Sequence, residues 1–115
     1  MPAKVRLERI EDRFSQVLSE LLISEIHDPR LHQVFITGVR VDRELAFADI
    51  HVSAIEGSSR SAEILEGLDH ASGFLRRTLA ARVDLRQMPR LRFHWDPTPE
   101  HADHIERLLA ELRKK

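Results

Sequence analysis

HASGFLRRTLAARVDLR, residues 70–86, is the stretch on which the reading of this chain turns. Its composition is helical, yet Gly73 stands where the apolar spacing asks for a helix former. A mid-helix glycine costs about 1 kcal/mol relative to alanine. Arg76, Arg77, Arg82 and Arg86 follow within four turns. Ile64, Leu65, Leu68, Ala71, Leu75 and Leu79 share one stripe at about 100° per residue, which predicts helix over residues 61–82. On a continuous helix Phe74 would point about 110° away from that stripe. A break at Ala71-Ser72-Gly73 would let Phe74, Leu75, Thr78 and Ala81 turn inward together, so the periodicity predicts two helical segments joined by a kink. The second segment would then begin with unpaired backbone N–H groups, an anion-binding end beside Arg76 and Arg77. Two readings stay open: a contact with a phosphate backbone, or a packing kink next to two ordinary surface arginines.

Working outward, residues 5–27 repeat apolar groups at Ile10, Phe14, Val17, Leu18, Leu21, Leu22 and Ile26, a helical stripe that Asp28-Pro29 closes near His27. In residues 33–42, Val34 and Ile36 share a face with Val39 and Val41 only if one residue is skipped. Gly38 sits at the slip and predicts a bulge. After a turn at Asp42-Arg43-Glu44, Ala46, Ala48, Ile50, Val52 and Ala54 alternate again, so the two runs read as a hairpin. Residues 56–61, EGSSRS, supply helix-capping side chains ahead of the interrupted helix. Leu91, Phe93 and Trp95 alternate as a third strand, with Arg90, Arg92 and His94 on its open side. Thr98 as N-cap and Pro99 at the first helical position start a last helix, whose amphipathic stripe is Ala102, Ile105, Leu108, Leu109 and Leu112. The order is α-β-β-α(kink)α-β-α. It predicts one α+β domain over residues 1–115, a three-stranded sheet with helices covering one face and the other face wet.

Composition narrows the function classes. The chain has 115 residues, 42% of them hydrophobic and 32% charged, an ordinary globular balance. It has no cysteine, which excludes disulfides, thiolate metal sites and a cysteine nucleophile and suits a reducing cytoplasm. No run approaches the roughly 20 apolar residues of a membrane span. Net charge is −1, but it is unevenly spread: residues 1–70 hold 8 Lys and Arg against 13 Asp and Glu, and residues 71–115 hold 10 against 6. Within 74–95 six arginines face a single aspartate, Asp84. Local field rather than total charge selects partners, so the second half points to a polyanion.

Several short motifs now fall into register. Ala71-x-Gly73-Phe74-Leu75-Arg76 followed by Leu79, Asp28-Pro29-Arg30-Leu31 after the first helix, and Arg6-x-x-Arg9-Ile10 near the start belong together. Val52-Ser53 ends the second strand, and Pro89-x-Leu91-x-Phe93 enters the third. In this order the chain resembles the ribosome-binding factor A family over about residues 5–112. The resemblance implies a KH-like fold of the second topology, in which Ala-x-Gly replaces the glycine loop of ordinary KH modules. It implies a bacterial, cytoplasmic assembly factor that binds the immature small (30S) ribosomal subunit and its 16S rRNA and assists late maturation and rRNA processing. It further implies a monomer with no cofactor, no small-molecule substrate and no turnover. The candidate RNA contacts are Ala71, Ser72, Gly73, Arg76, Arg77, Arg82 and Arg86, with Arg6, Arg9 and Arg30. Glu8, Glu11 and Asp12 interleave with Lys4, Arg6, Arg9 and Arg13, which favours intrahelical pairing there. Arg30 follows a proline in an exposed turn and goes either way, and Arg90 and Arg92 line the open sheet face. With only 5% aromatic residues, an extensive base-stacking platform is not expected.

Competing chemistry is thin. Glu100, His101, Asp103 and His104 share one helical turn, but a metal site needs a third convergent ligand and supporting hydrogen bonds. Ser58-Ser59 lacks a nucleophile elbow, and GSSRS lacks the lysine of a phosphate loop. The alternative to an RNA-binding factor is a small α+β protein-interaction module that docks a partner through its open sheet face or its last helix.

Overall fold

A computed structural model describes residues 3–114. Helix α1 spans Ala3–Ser24, strands β1 and β2 span Val34–Val41 and Phe47–Ala54, helix α2 spans Ser61–Arg82, β3 spans Arg90–Trp95 and α3 spans Thr98–Arg113. Short 3₁₀ turns at Pro29–Leu31 and Ser58–Arg60 precede β1 and α2. The stripe on α1 buries Ile10, Phe14, Val17, Leu18 and Leu21. That helix stops at Ser24, three residues short of the expected end, and the Glu25 and Ile26 amides both donate to the Leu21 carbonyl. The chain then turns so that Asp28 caps the 3₁₀ turn, its Oδ1 accepting the Arg30 amide at 2.9 Å.

β1 and β2 pair antiparallel, β2 and β3 pair parallel, and the strand order is β1-β2-β3. The bulge falls where Gly38 predicts it, with the register shifting between Ile36 and Gly38. The hairpin turn is closed by Asp42, whose Oδ1 accepts the Phe47 amide at 2.7 Å. A parallel neighbour requires a crossover connection, and α2 is that crossover. Val34, Val39, Val41, Ala48, Ile50 and Val52 face inward, where α1 lies on β1 and α2 on β3. Each fully buried aliphatic or aromatic side chain contributes about 1.5–3 kcal/mol of hydrophobic stabilisation. This is the expected α+β layering, with two helices on one face of the sheet.

The predicted interruption of α2 is not there. Ser61–Arg82 is one helix, and Phe74 is 39% exposed rather than turned inward. The reason lies in the stripe itself. Ile64, Leu68, Leu75 and Leu79 are all buried on one unbroken register. A break at residues 71–73 would give up ladder hydrogen bonds, each worth about 0.5–1.5 kcal/mol net, and pull Leu75 and Leu79 off the register on which they are already buried, to bury a single extra ring.

Both caps also differ from expectation. No serine side chain caps α2; the Ser58 amide, which opens the 3₁₀ turn before it, donates to Glu100 Oε2 of α3 at 3.1 Å. Helix α3 begins at Thr98 itself, and the Thr98 amide donates to Asp96 Oδ1 at 2.9 Å, so an aspartate ahead of the expected Thr98 satisfies the first free amide. None of the residues of α3 is buried. The last helix does not pack on the sheet; one side of it lines a cleft with Phe35, Ala54 and Ile55.

Candidate nucleic-acid interface

On a continuous α2, residues 70, 73, 74 and 77 fall on one face at i, i+3, i+4 and i+7. All four are exposed, giving a strip of His70, Gly73, Phe74 and Arg77 that runs along the outer side of the helix. Gly73 acts here by size rather than by flexibility. A Cβ built on it would lie 3.2 Å from Arg77 Nη1, so the guanidinium folds back over the bare glycine backbone. The strip therefore presents a ring and a cation side by side, the cation lying over the Gly73 main chain. It presents no free helical amides, because the helix is not interrupted, and the anion site expected at Ala71–Gly73 does not form. Ala71 packs against the core. The Ser72 hydroxyl is spent on its own helix, donating to the Asp69 carbonyl at 2.8 Å.

The arginines expected to act together are given different tasks. Arg76 turns away from the strip: its Nη2 donates to the Met88 carbonyl at 2.7 Å and its Nε to the Pro89 carbonyl at 3.1 Å. It pins the loop that delivers β3 to the sheet. Arg82 pairs with Glu20 of α1 at 3.3 Å, an exposed pair worth about 0–1 kcal/mol. Arg86 is exposed in the loop after α2, with no carboxylate within ion-pair distance among the described residues. Arg6 and Arg9 are exposed on α1, and the intrahelical pairing expected there is absent among the described residues. Glu11 instead accepts the Val41 amide at 2.8 Å, holding α1 to the end of β1, and Arg13 donates to Gln16.

Arg30 closes one end of the strip. Its guanidinium forks onto the Asp28 carboxylate, at 2.7 Å for Nη2 and 3.1 Å for Nε, and lies 3.7 Å from Glu66. Because arginine only donates, the His70 Nδ1 at 3.2 Å from Nη2 is the acceptor. The hydrogen bond from Arg30 holds the Asp28 carboxyl below its usual range, and the same bond raises Arg30 above its own. Gly67, which sequence reasoning passes over, makes this arrangement possible. It is buried, and a Cβ there would meet Leu31 Cδ2 at 3.1 Å with Arg30 Nε and Asp28 Oδ2 at 3.4 Å. The Asp28–Leu31 turn thus lies directly on the α2 backbone. Sequence reasoning misses His70 too, although its place three residues before Gly73 and seven before Arg77 is legible once the helix is read as continuous.

The open sheet face carries the side chains that alternation places there. Arg92 forks onto Asp49 at 2.9 and 3.1 Å and lies over the Phe47 ring at 4.0 Å. His94 Nε2 is 2.7 Å from the same carboxylate, and its ring stacks on His51 with centroids 5.2 Å apart. Arg92 first, and then His94, hold the Asp49 carboxyl below its usual range. Arg92 is thus committed to Asp49, whereas Arg90 is exposed at the start of β3. Among the described residues no three His, Asp or Glu side chains converge to hold a metal. No described helix is long and apolar enough to cross a membrane.

Comparison with known proteins bears on this geometry. The family profile described as ribosome-binding factor A matches residues 6–109. Ribosome-binding factor A of Alcanivorax borkumensis is 41% identical over 109 residues, covering 94% of this chain and 80% of that protein. The crystal structure of ribosome-binding factor A from Thermus thermophilus superposes with a TM-score of 0.69 at 27% identity, over 77% of this chain and 93% of that one. A homology model of the T. thermophilus protein fitted into a cryo-EM map of a complex with the 30S subunit superposes at 0.61 and 28% identity, over 74% and 89%. The fold shared with these structures is the KH-like one.

Proposed function

Because this chain belongs to the ribosome-binding factor A family, we propose that it binds the immature 30S subunit through 16S rRNA and assists late maturation and rRNA processing. The observation that carries the nucleic-acid reading is the α2 strip, where Gly73 leaves the main chain bare beneath the Arg77 guanidinium and beside the exposed Phe74 ring. With no side chain at position 73 the exposed Arg77 guanidinium lies close over the helix backbone, where it can meet a phosphate, and the aromatic face beside it accepts an unstacked base. Arg77 is the principal phosphate contact in this reading, and Arg86, Arg6 and Arg9 extend the positive field. Arg76 acts indirectly, by holding the loop before β3 in place. Arg30 orients His70 at the end of the strip and is itself neutralised by Asp28. The protein works as a monomer in the cytoplasm, as a binding factor that forms and breaks no covalent bond.

Co-sedimentation of the purified protein with immature small subunits over a range of salt concentrations tests this. Binding through phosphates falls log-linearly with salt, and Arg77→Glu should weaken it at least tenfold and make the salt slope shallower by about one unit. Wild-type binding that ignores salt, or an Arg77→Glu variant that binds as wild type does, would leave the protein-interaction alternative standing instead.

A further inference from the structure

His70 Nδ1 lies 3.2 Å from Arg30 Nη2, and that contact decides what the far side of the ring can do. A guanidinium only donates, so Nδ1 must keep its lone pair to accept. The proton of the neutral imidazole then sits on Nε2, which becomes a donor. Its support is well held. Arg30 Nε is 3.1 Å from both Asp28 oxygens, Nη2 is 2.7 Å from Oδ2, and Nη1 is 3.7 Å from Glu66. The turn that carries Asp28 and Arg30 rests in turn on the α2 backbone at Gly67. His70 itself is exposed, and among the described residues its Nε2 has no hydrogen-bond partner. The fold therefore fixes one face of the imidazole and leaves a directed N–H on the other.

Local charge selects what that N–H meets. Asp28 lies across the turn from His70, Glu66 one helical turn before it and Asp69 next to it in sequence, against the single cation of Arg30. A phosphate placed there would be repelled. A carbonyl oxygen or a bare ring nitrogen of a base carries no net charge and would not be. Seven residues on, about 10 Å along the helix axis, the strip ends in the exposed cation of Arg77. Phe74 stands between the two, four residues after His70 and three before Arg77, with its ring 39% exposed. One nucleotide fits this order: phosphate on Arg77, base on the Phe74 face, base edge toward His70. Unpaired RNA bases present their Watson–Crick and Hoogsteen edges for such contacts.

We propose that His70 is a specificity-determining residue of the α2 strip, its Nε2–H donating to an acceptor on the edge of an unpaired base that stacks on Phe74. Arg30 is the positioning residue that sets the tautomer and the direction of the ring. This role rests on the rRNA reading above and adds to it a contact that reads the base rather than the backbone. An exocyclic carbonyl or a bare ring nitrogen is accepted at that point, and an amino group is refused.

Chemical probing of immature subunits saturated with the protein, with base-modifying and backbone-cleaving reagents, tests it. Wild-type protein should shield at least one unpaired base and the backbone beside it. His70→Gln puts an amide N–H where Nε2–H stands, so it should keep that shield and bind within about twofold of wild type. His70→Asn ends at the level of Nδ1, so it should bare the base while the backbone stays covered. Its affinity should fall about three- to tenfold, the worth of one neutral hydrogen bond, with an unchanged salt slope because a neutral donor releases no counterion. In the free protein at about pH 8, nitrogen-15 resonances of His70 should show a bare Nδ1 and a protonated Nε2, and the second tautomer should appear in Arg30→Met. A base still shielded by His70→Asn, a His70→Gln variant no better than His70→Asn, a shallower salt slope, or the opposite tautomer would each overturn the role of His70. A ring unchanged in Arg30→Met would overturn the role of Arg30. Wild-type protein that fails to bind, or whose binding ignores salt, would instead overturn the rRNA reading itself.

Discussion

Replacing each of the two glycines of α2 by alanine discriminates sharply between a bent and a straight helix. In the structure Gly73 is exposed on an unbroken helix, and the one atom that a Cβ would crowd is Arg77 Nη1 at 3.2 Å, the far end of a flexible side chain. Gly73→Ala therefore gains helix propensity of about 0.8–1 kcal/mol and loses almost nothing, since Arg77 need move only a few tenths of an ångström. The variant should be more stable by about 0.5–1 kcal/mol, which raises the melting temperature by roughly 2–5 °C for a chain of this size. Gly67 is the counter-case. The same propensity gain is set against contacts at 3.1 Å with Leu31 Cδ2 and 3.4 Å with Arg30 Nε and Asp28 Oδ2, groups held by the ion-paired turn. Overpacking of this kind costs about 1–3 kcal/mol, so Gly67→Ala should come out neutral to about 2 kcal/mol less stable than wild type. Urea denaturation followed by circular dichroism, with slopes checked for constancy, gives both values. A Gly73→Ala variant destabilised by more than about 0.5 kcal/mol, the result expected if residue 73 were a hinge that alanine cannot serve, or the opposite ranking of the two variants, would refute the straight helix.

Arg76→Gln should cost about 1–3 kcal/mol in the same titration, because it leaves the Met88 and Pro89 carbonyls short of their donor, while Arg77→Gln should stay within about 0.5 kcal/mol of wild type; equal losses would show that the two arginines are not divided between loop and strip. The Asp49 carboxyl, held down by Arg92 and His94, contributes stability that is present above its unfolded-state pKa near 4 and is lost as pH falls through the lower folded value. Asp49→Asn should therefore lower stability at pH 7 and flatten the loss of stability between pH 5 and pH 2, and an acid limb as steep as that of wild type would refute the assignment.

Much of this protein is legible from local pattern. The 3.6-residue spacing of Phe14, Val17, Leu18 and Leu21 and the two-residue alternation around Ala48, Ile50 and Val52 depend only on which side of an element each residue faces. All seven are buried. Gly38 marks the bulge for the same reason, since one skipped residue restores the alternation. The candidate interface is less legible. Periodicity sets Gly73 beside both Arg76 and Arg77, of which only Arg77 lies against it, through a kink that the helix does not make, and it sends Phe74 inward when the ring lies in the strip.

What the sequence alone determined, then, is the set of elements and the inward faces, which rest on relations between residues a few positions apart, and the resemblance to a KH-like ribosome-binding family, which rests on short motifs in order along the chain. The tertiary structure decided which charges are spent and which are left over. Arg76 meets carbonyls twelve and thirteen residues downstream, Arg82 a carboxylate sixty-two residues upstream, and Arg30 a histidine forty residues on. A guanidinium's partner is chosen by distance in space, and no spacing along the chain reports it. The same holds for α3, where periodicity announces an apolar stripe but only the folded arrangement shows that the stripe turns away from its own sheet.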